Sequence, residues 1–364
     1  MIDPEPDVAT ADGDAILWHG DSRELLARIP DASVDLICTD PPYNLGSYST
    51  GNIEMSWRKA FNNDVAAWDQ EPFDPEAWLA EFRRVLKPTG ALWLNLGDGY
   101  SRHLREGAAK KCLLLGPEQV ALRLTESGWL LRNKVIWHKK NPMPSSVADR
   151  LTTSHEYVYF LTPQPKYFFD LDAIREQATT PTHRGRRSRE VYPPREAVPS
   201  LGGGQSPRVD LNQGLATLKA MGQESHPLGK NPGDIWTVAT ASYRGAHFAT
   251  FPVELVRRPL LATCPERVCV HCEEPWRRRA QIRAGRRLQI GPLEPSCECS
   301  AMWRPGIVLD PFMGAGTVAI AAEAHGRDWV GVELNPEYAA LAEARIGAAR
   351  TKRSGRTAAA DDSR

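Results

Sequence analysis

No run of about 18 apolar residues occurs in the chain, so the sequence predicts no membrane-crossing helix. Its first stretch, MIDPEPDVATADGDA, is acidic and lacks an apolar core. That excludes a secretory signal there and predicts a frayed tail over 1–14. Net charge is missing too: 45 Lys and Arg balance 45 Asp and Glu over 364 residues. The dinucleotide-binding pattern G-x-G-x-x-G is absent as well. With 41% hydrophobic and 25% charged residues, the composition is that of an ordinary globular protein. A cytoplasmic location is the default expectation.

The neutral total hides an uneven spread. Residues 181–290 hold 18 Lys and Arg against 9 Asp and Glu, while the rest holds 27 against 36. A basic middle suggests a polyanion on one face, with a solvated arginine-rich loop as the alternative. Cysteine is equally uneven. Five of seven, Cys264, Cys269, Cys272, Cys297 and Cys299, fall within 36 residues. In a reducing compartment such crowding favours a metal over disulfides.

Periodicity predicts alternating strands and helices. AILWHGD, SRELLARIP and SVDLIC read as strand, helix and strand, with Ser22 as the cap of the helix. An amphipathic helix is expected over 74–90, with Asp74 as N-cap and Pro88 and Gly90 past its end. ALWLNLGD, LLRNKVIWHK and HEYVYFLTP read as strands, and GPEQVALRLTESGW as a helix. Residues 175–230 lose apolar periodicity and read as a loop-rich insert. GDIWTV and PVELVRRPLLAT resume regular structure. After the cysteines, residues 306–346 read as strand, glycine turn, helix, strand and helix, followed by a polar tail over 349–364. Such alternation predicts an α/β fold, a doubly wound, mostly parallel sheet whose ligands sit at the carboxyl ends of the strands.

Two stretches carry chemistry. VLDPFMGAGTVAIAA is a buried strand, an acid, a Gly-x-Gly turn and a helix start. Asp310 would repel a pyrophosphate but hold an ammonium. Glu333, ending the next strand, can accept from two ribose hydroxyls. Together with glycines for close approach, these fit S-adenosylmethionine; a purely structural βαβ unit is the alternative. The other stretch is TDPPYN, residues 39–44. Asp40 and the Pro41 carbonyl offer two acceptors, which suit an exocyclic NH₂ on a nucleobase, and Tyr43 offers a face for stacking. Alone it could equally be a rigid turn.

Asp-Pro-Pro-Tyr followed far downstream by DPFMGAGT resembles the DNA amino-methyltransferases that modify adenine N6 or cytosine N4. The catalytic motif precedes the cofactor motif, as in the permuted, beta-type members. The resemblance covers about 15–174 and 231–346, including VIWHKKNPMPSS, TTSHEYVYFLT and HFATFPVELVRRPL. It implies a Rossmann-like methyltransferase fold with a sheet of seven-stranded type. The catalytic half would span 15–174, the target-recognition insert 175–230, and the cofactor half 231–263 and 300–348. It assigns the cofactor loop to Asp310, Phe312, Gly314, Gly316 and Thr317, and the ribose to Glu333, followed by Asn335. Asp21 would lie near the cofactor adenine. His247, Phe248, Phe251 and Pro252 would flank the methionine part, although Phe251 could simply pack in the core. Asp40, Pro41, Pro42 and Tyr43 would hold a base flipped from double-stranded DNA, whose amino nitrogen takes the methyl group directly. Adenine N6 is expected ahead of cytosine N4, because an aspartate opens the motif. A homodimer and a cognate restriction enzyme are the further partners the resemblance raises. A cytosine-C5 enzyme would need a Pro-Cys nucleophile, and TCPE around Cys264 has the reverse order.

Cys269-x₂-Cys272 and Cys297-x-Cys299, two close pairs separated by a loop, predict a structural zinc site in an insert over 264–299. Cys264 or His271 could replace one ligand, and unliganded thiols are the alternative. The loop RRRAQIRAGRR between the pairs could meet phosphate. HRGRRSRE, residues 183–190, is expected to serve target recognition. A non-catalytic, zinc-containing DNA-binding protein is the rival class. Intact Asp40, Tyr43, Asp310 and Glu333 argue against it.

Overall fold

The computed structural model describes residues 8–9, 15–41, 75–101, 109–142, 144–177, 228–241, 251–283, 286–288 and 290–361. The first half supplies β1 (Val8–Ala9), β2 (Ala15–His19), α1 (Ser22–Leu26), β3 (Val34–Thr39), α2 (Pro75–Val85), β4 (Leu86–Leu96), α3 (Gly116–Glu126), β5 (Leu130–Lys139) and β6 (His155–Thr162). Beyond a 3₁₀ turn at Leu171–Ile174 come β7 (Ile235–Val238) and α4 (Val253–Thr263). Six short strands follow: β8 (Val268–Cys269), β9 (Arg277–Arg278), β10 (Gln281–Arg283), β11 (Arg286–Leu288), β12 (Leu293–Glu294) and β13 (Trp303–Arg304). The chain closes with β14 (Ile307–Asp310), α5 (Thr317–Ala324), β15 (Asp328–Glu333) and α6 (Pro336–Asp361).

Nine of these strands form one sheet in the order β1-β2-β15-β14-β3-β4-β6-β5-β7. Parallel pairing links β2, β15, β14, β3 and β4 in turn. Strand β6 runs antiparallel to both neighbours, and β7 pairs parallel with β5. Seven strands from β2 to β5 make the expected sheet, widened at its edges by β1 and β7. Strand β3 is buried along its whole length, as a central parallel strand covered on both faces must be.

Two apolar layers enclose it. Leu36, Trp93, Phe160 and Trp236 pack with Leu255 and Val256 of α4, Val318 of α5 and Ala342 of α6. Ile37, Leu92, Leu161 and Leu309 pack on the other face with Leu26 of α1, Phe82 of α2 and Leu124 of α3. Trp93 stacks on Phe160 with ring centroids 4.4 Å apart, and its indole N–H reaches Thr263 Oγ1 at 3.1 Å. Truncating so buried an aromatic costs about 3–5 kcal/mol.

Local expectations are corrected at four points. Asp21, not Ser22, caps α1, accepting from the Arg23 N–H at 2.9 Å. Ser22 is buried and donates to the Pro311 carbonyl at 2.5 Å. Helix α2 stops at Val85, and Pro88 and Gly90 lie inside β4, where the register against β3 jumps between Val34 and Leu36. The irregularity turns Lys87 inward onto Asp35, 3.0 Å away. Residues Val8–Ala9 pair with Leu17 and Ile16 instead of fraying, and Asp74 lies outside the described residues. The expected C-terminal tail continues α6 to Asp361, because Arg350 and Arg353 reach back to Glu323 on α5. Among the described residues no helix is long and apolar enough to cross a membrane.

Candidate active site

Strands β3 and β14 end side by side, although 271 positions separate the residues that touch there. Thr39 Oγ1 donates to Asp310 Oδ1 at 2.7 Å, and the Phe312 N–H reaches the same oxygen at 3.2 Å. Asp310 is fully buried, and its Oδ2 has no hydrogen-bond partner among the described residues. Burial pushes its carboxyl up to about 7, against the lowering effect of the Thr39 and Phe312 hydrogen bonds. A buried acid with one idle oxygen suits a cationic ligand group, which would supply the missing donor and counter-charge.

The turn after Asp310 is shaped by two glycines with different tasks. Gly314 has φ +51°, and a Cβ there would meet nothing closer than the Phe312 carbonyl at 3.9 Å. That open side lets a ligand lie against the backbone. Gly316 has φ +76°, and a Cβ there would press Ala342 at 3.1 Å and Ile346 at 3.2 Å. It serves the packing of the turn on α6. Glu333, at the end of β15, ties the turn: its Oε2 accepts from the Gly314 N–H at 2.7 Å and its Oε1 from the Asn335 N–H at 2.8 Å. The Leu334 N–H is a third donor to this carboxylate. Burial raises its carboxyl above the ordinary value despite those N–H bonds. Phe312 packs edge-on against Trp78 of α2 at 4.9 Å, and Thr317 is buried at the first position of α5.

Asp40 follows β3 directly, half-buried, with Pro41 buried behind it. Asn95 of β4 donates its side-chain amide to Asp40 Oδ1 at 3.1 Å. A half-buried carboxylate thus stands beside a buried one, on adjacent strand ends. Burial raises the thiol of Cys38 on β3, and the charges of Asp310 and Asp40 add to the effect.

The family model of the N6/N4 methyltransferases, described as DNA methylase, matches residues 34–344. The chain belongs to this family. As a family member it is a DNA amino-methyltransferase that depends on S-adenosylmethionine. Type II methyltransferase M.Cfr9I of Citrobacter freundii is 30% identical over 358 residues, covering 91% of this chain and 87% of that protein. Type II methyltransferase M.SmaI of Serratia marcescens is 29% identical, covering 90% and 89%. The solved PvuII DNA methyltransferase (cytosine-N4-specific) superposes with a TM-score of 0.51 at 18% identity, covering 97% of this chain and 96% of that one. It shares the fold.

The methyltransferase brings together Asp40, Pro41, Asp310, Phe312, Gly314, Thr317, Glu333 and Asn335 at the carboxyl ends of β3, β14 and β15. Asp21 stands beyond the end of β2, but its carboxylate holds its own helix N–H and Arg23 Nη2 at 2.6 Å. Those bonds hold it below the usual carboxylate range. Phe251 is buried among core side chains, and Pro252 is the N-cap residue of α4. Pro42, Tyr43, His247 and Phe248 lie outside the described residues, as do 178–227, which include HRGRRSRE. The ends of that last segment meet: Glu176 and Lys230 exchange backbone hydrogen bonds of 3.0 and 2.8 Å. Gly229 is required there, since a Cβ would fall 2.0 Å from the Glu176 carbonyl oxygen.

The sulfurs of Cys269, Cys272, Cys297 and Cys299 lie within 4.8 Å of one another. Cys264 is buried at the end of α4 and is not in the group, nor is His271. The insert joins α4 to β14, so it stands at the amino ends of the strands, opposite the carboxylates. Its Glu273 pairs with Lys87 at 3.1 Å and its Arg304 with Glu273 at 3.5 Å. The three arginines that open its basic loop have partners. Arg277 lies over Phe168, Arg278 pairs with Asp170 at 3.1 Å, and Arg279 pairs with Glu294 at 3.2 Å.

Sequence reasoning missed Asn95, Glu156 and Lys139. Asn95 Nδ2 also donates to Glu156 Oε2 at 2.8 Å, and Lys139 pairs with Glu156 Oε1. The available signal was a lone asparagine in the apolar run ALWLNL.

Proposed function

We propose that this methyltransferase modifies the exocyclic amino group of a base flipped from double-stranded DNA, with adenine N6 the favoured target. The reading is carried by one observation: Asp40 and the Asp310 turn, from opposite ends of the sequence, stand on adjacent strand ends linked by the Thr39–Asp310 hydrogen bond. S-adenosylmethionine, when bound, supplies a methyl group on a positively charged sulfur. The chain's own residues do the rest. Asp310 would hold the ammonium through Oδ2, which lacks a donor among the described residues. Glu333 would accept from the ribose hydroxyls at the carboxylate that also holds the Gly314 and Asn335 N–H groups. Asp40 and the Pro41 carbonyl would accept the two N–H groups of the base. As that nitrogen gains positive character, the Asp40 carboxylate stabilises it and takes the proton it must lose.

Cytosine N4 is the second reading. It presents the same two-proton amino group, and the PvuII enzyme of the same fold is cytosine-N4-specific. Expression in a methylation-free host, nucleoside mass spectrometry and single-molecule sequencing decide between them. N6-methyldeoxyadenosine is expected; N4-methyldeoxycytidine would overturn the adenine assignment, and no modified base would overturn both. Asp40→Ala should abolish methylation while leaving DNA binding largely intact. The relatives' names, Type II methyltransferases, support an accompanying restriction enzyme.

The four clustered cysteines would hold a structural Zn²⁺. Tetrahedral Zn–S bonds of about 2.3 Å set sulfurs about 3.8 Å apart, compatible with the observed cluster. Four thiolates leave no open coordination position, and the insert lies at the sheet end away from Asp40. Metal analysis of purified protein should find one zinc per chain; none at near-stoichiometric level would refute the site.

A further inference from the structure

We propose that Asn95 is the positioning residue for Asp40, and that Glu156 and Lys139 hold Asn95 in that role. The proposal rests on Asp40 being the acceptor for the base amino group. The chain of contacts crosses four adjacent strand ends. Asp40 follows β3, Asn95 lies on β4, Glu156 on β6 and Lys139 ends β5.

The amide nitrogen of Asn95 has two protons. One faces Asp40 Oδ1 at 3.1 Å and the other faces Glu156 Oε2 at 2.8 Å. Two acceptors on either side fix which end of the amide faces them, because only the NH₂ end can donate. Asn95 is almost completely buried, so its side chain has little room to turn. Glu156 would by itself bring a second negative charge within one amide of Asp40. Lys139 pairs with its other oxygen and offsets that charge. Charge-assisted hydrogen bonds of this kind are stronger than neutral ones.

The consequence for Asp40 is directional. A donor fixed on Oδ1 fixes the plane of the carboxylate, and so aims Oδ2. A rotating carboxylate would present its acceptor to the base amino group only part of the time. Misplacement of a reacting group by about 1 Å can cost about a hundredfold in rate.

Lys139 also ties the chain toward the recognition segment. It is bonded through β5 to β7, which follows that segment, with His138 opposite Thr237 and Lys139 opposite Val238. The Thr240 N–H reaches Asn141 Oδ1 at 2.8 Å just beyond.

The test is Asn95→Asp, which keeps the shape but replaces the double donor with an acceptor between two carboxylates. Methyl transfer is followed with tritiated S-adenosylmethionine on DNA from a methylation-free host, beside calorimetry of S-adenosylhomocysteine and a DNA-binding assay. The expected result is a kcat lower by about 10- to 100-fold, with both affinities within about threefold of wild type. Glu156→Gln, which keeps an acceptor, should cost less than Asn95→Asp. If Asn95 matters only for packing, the isosteric Asn95→Asp will keep kcat within twofold, and the proposal fails. Loss of cofactor or DNA affinity in parallel with kcat would also overturn it, by making the role a general structural one. Asp40→Ala, measured alongside, separates the two levels. If Asp40→Ala is inactive while Asn95→Asp is normal, only the positioning role falls; if Asp40→Ala stays active, the underlying reading of Asp40 falls with it.

Discussion

Cofactor binding should expel a proton, and Asp310 is the reason. In the free protein burial lifts this carboxyl from its ordinary 3.8 to about 7. Below pH 7 it therefore holds its proton, yet the ammonium of S-adenosylmethionine calls for the ionised form. Each pH unit below 7 costs about 1.4 kcal/mol, or tenfold in Kd. Affinity should weaken on the order of tenfold from pH 8 to pH 6. Calorimetry of S-adenosylhomocysteine in two buffers of different ionisation enthalpy should record the release of close to one proton at pH 6. Methylthioadenosine, which has no amino-acid part, should bind without this slope, and Asp310→Asn should flatten it. The free protein should show the mirror effect. A carboxyl raised in the folded state lends stability that is fully present below pH 3.8 and is lost as pH rises through 7. Flat affinity from pH 6 to 8 with no proton release would refute the ammonium assignment.

The two glycines of the turn should separate on substitution. Gly316→Ala meets Ala342 and Ile346 and carries a strained φ, so thermal unfolding should reveal a loss of about 1–3 kcal/mol. Gly314→Ala should cost less stability, about 1 kcal/mol from its positive φ, but should weaken S-adenosylhomocysteine binding in calorimetry. Glu323→Ala should release Arg350 and Arg353 and make the end of α6 a preferred site of limited trypsin cleavage, with little change in global unfolding. Serine substitution of Cys269 and Cys272 should lower both bound zinc and the melting temperature, while leaving residual methylation at low temperature, since the insert enters β14 at the strand end opposite Asp310.

Features that rest on local pattern were legible in the sequence. LLRNKVIWHK coincides with β5, and the strand–glycine turn–helix run around Asp310 folds as its spacing implies. Other features depend on partners far along the chain and leave little local trace. Asn95 meets Asp40 and Glu156 across 55 and 61 positions, so its role emerges only once β3, β4 and β6 are neighbours. Lys87 turns inward because Asp35 lies beneath it, and the chain enters β4 at Leu86 directly after the helix ends at Val85. Helix α6 outruns its apolar stripe because Glu323 lies on another helix. Gly314 and Gly316 look alike in sequence and differ only in what stands opposite them.

The position of β14 and β15 bears on how this chain is made. They are near the end of the sequence but fill the slot between β2 and β3 at the heart of the sheet. A ribosome releases both walls of that slot nearly 270 residues before the strands that close it. Until then β2 and β3 each present an unpaired central edge, the kind of surface that invites wrong partners and slows folding. A truncation before Ile307 would not trim a border; it would remove the middle of the molecule. The nascent enzyme would hold Asp40 without Asp310 beside it, and so stay chemically silent until the last strands zip in.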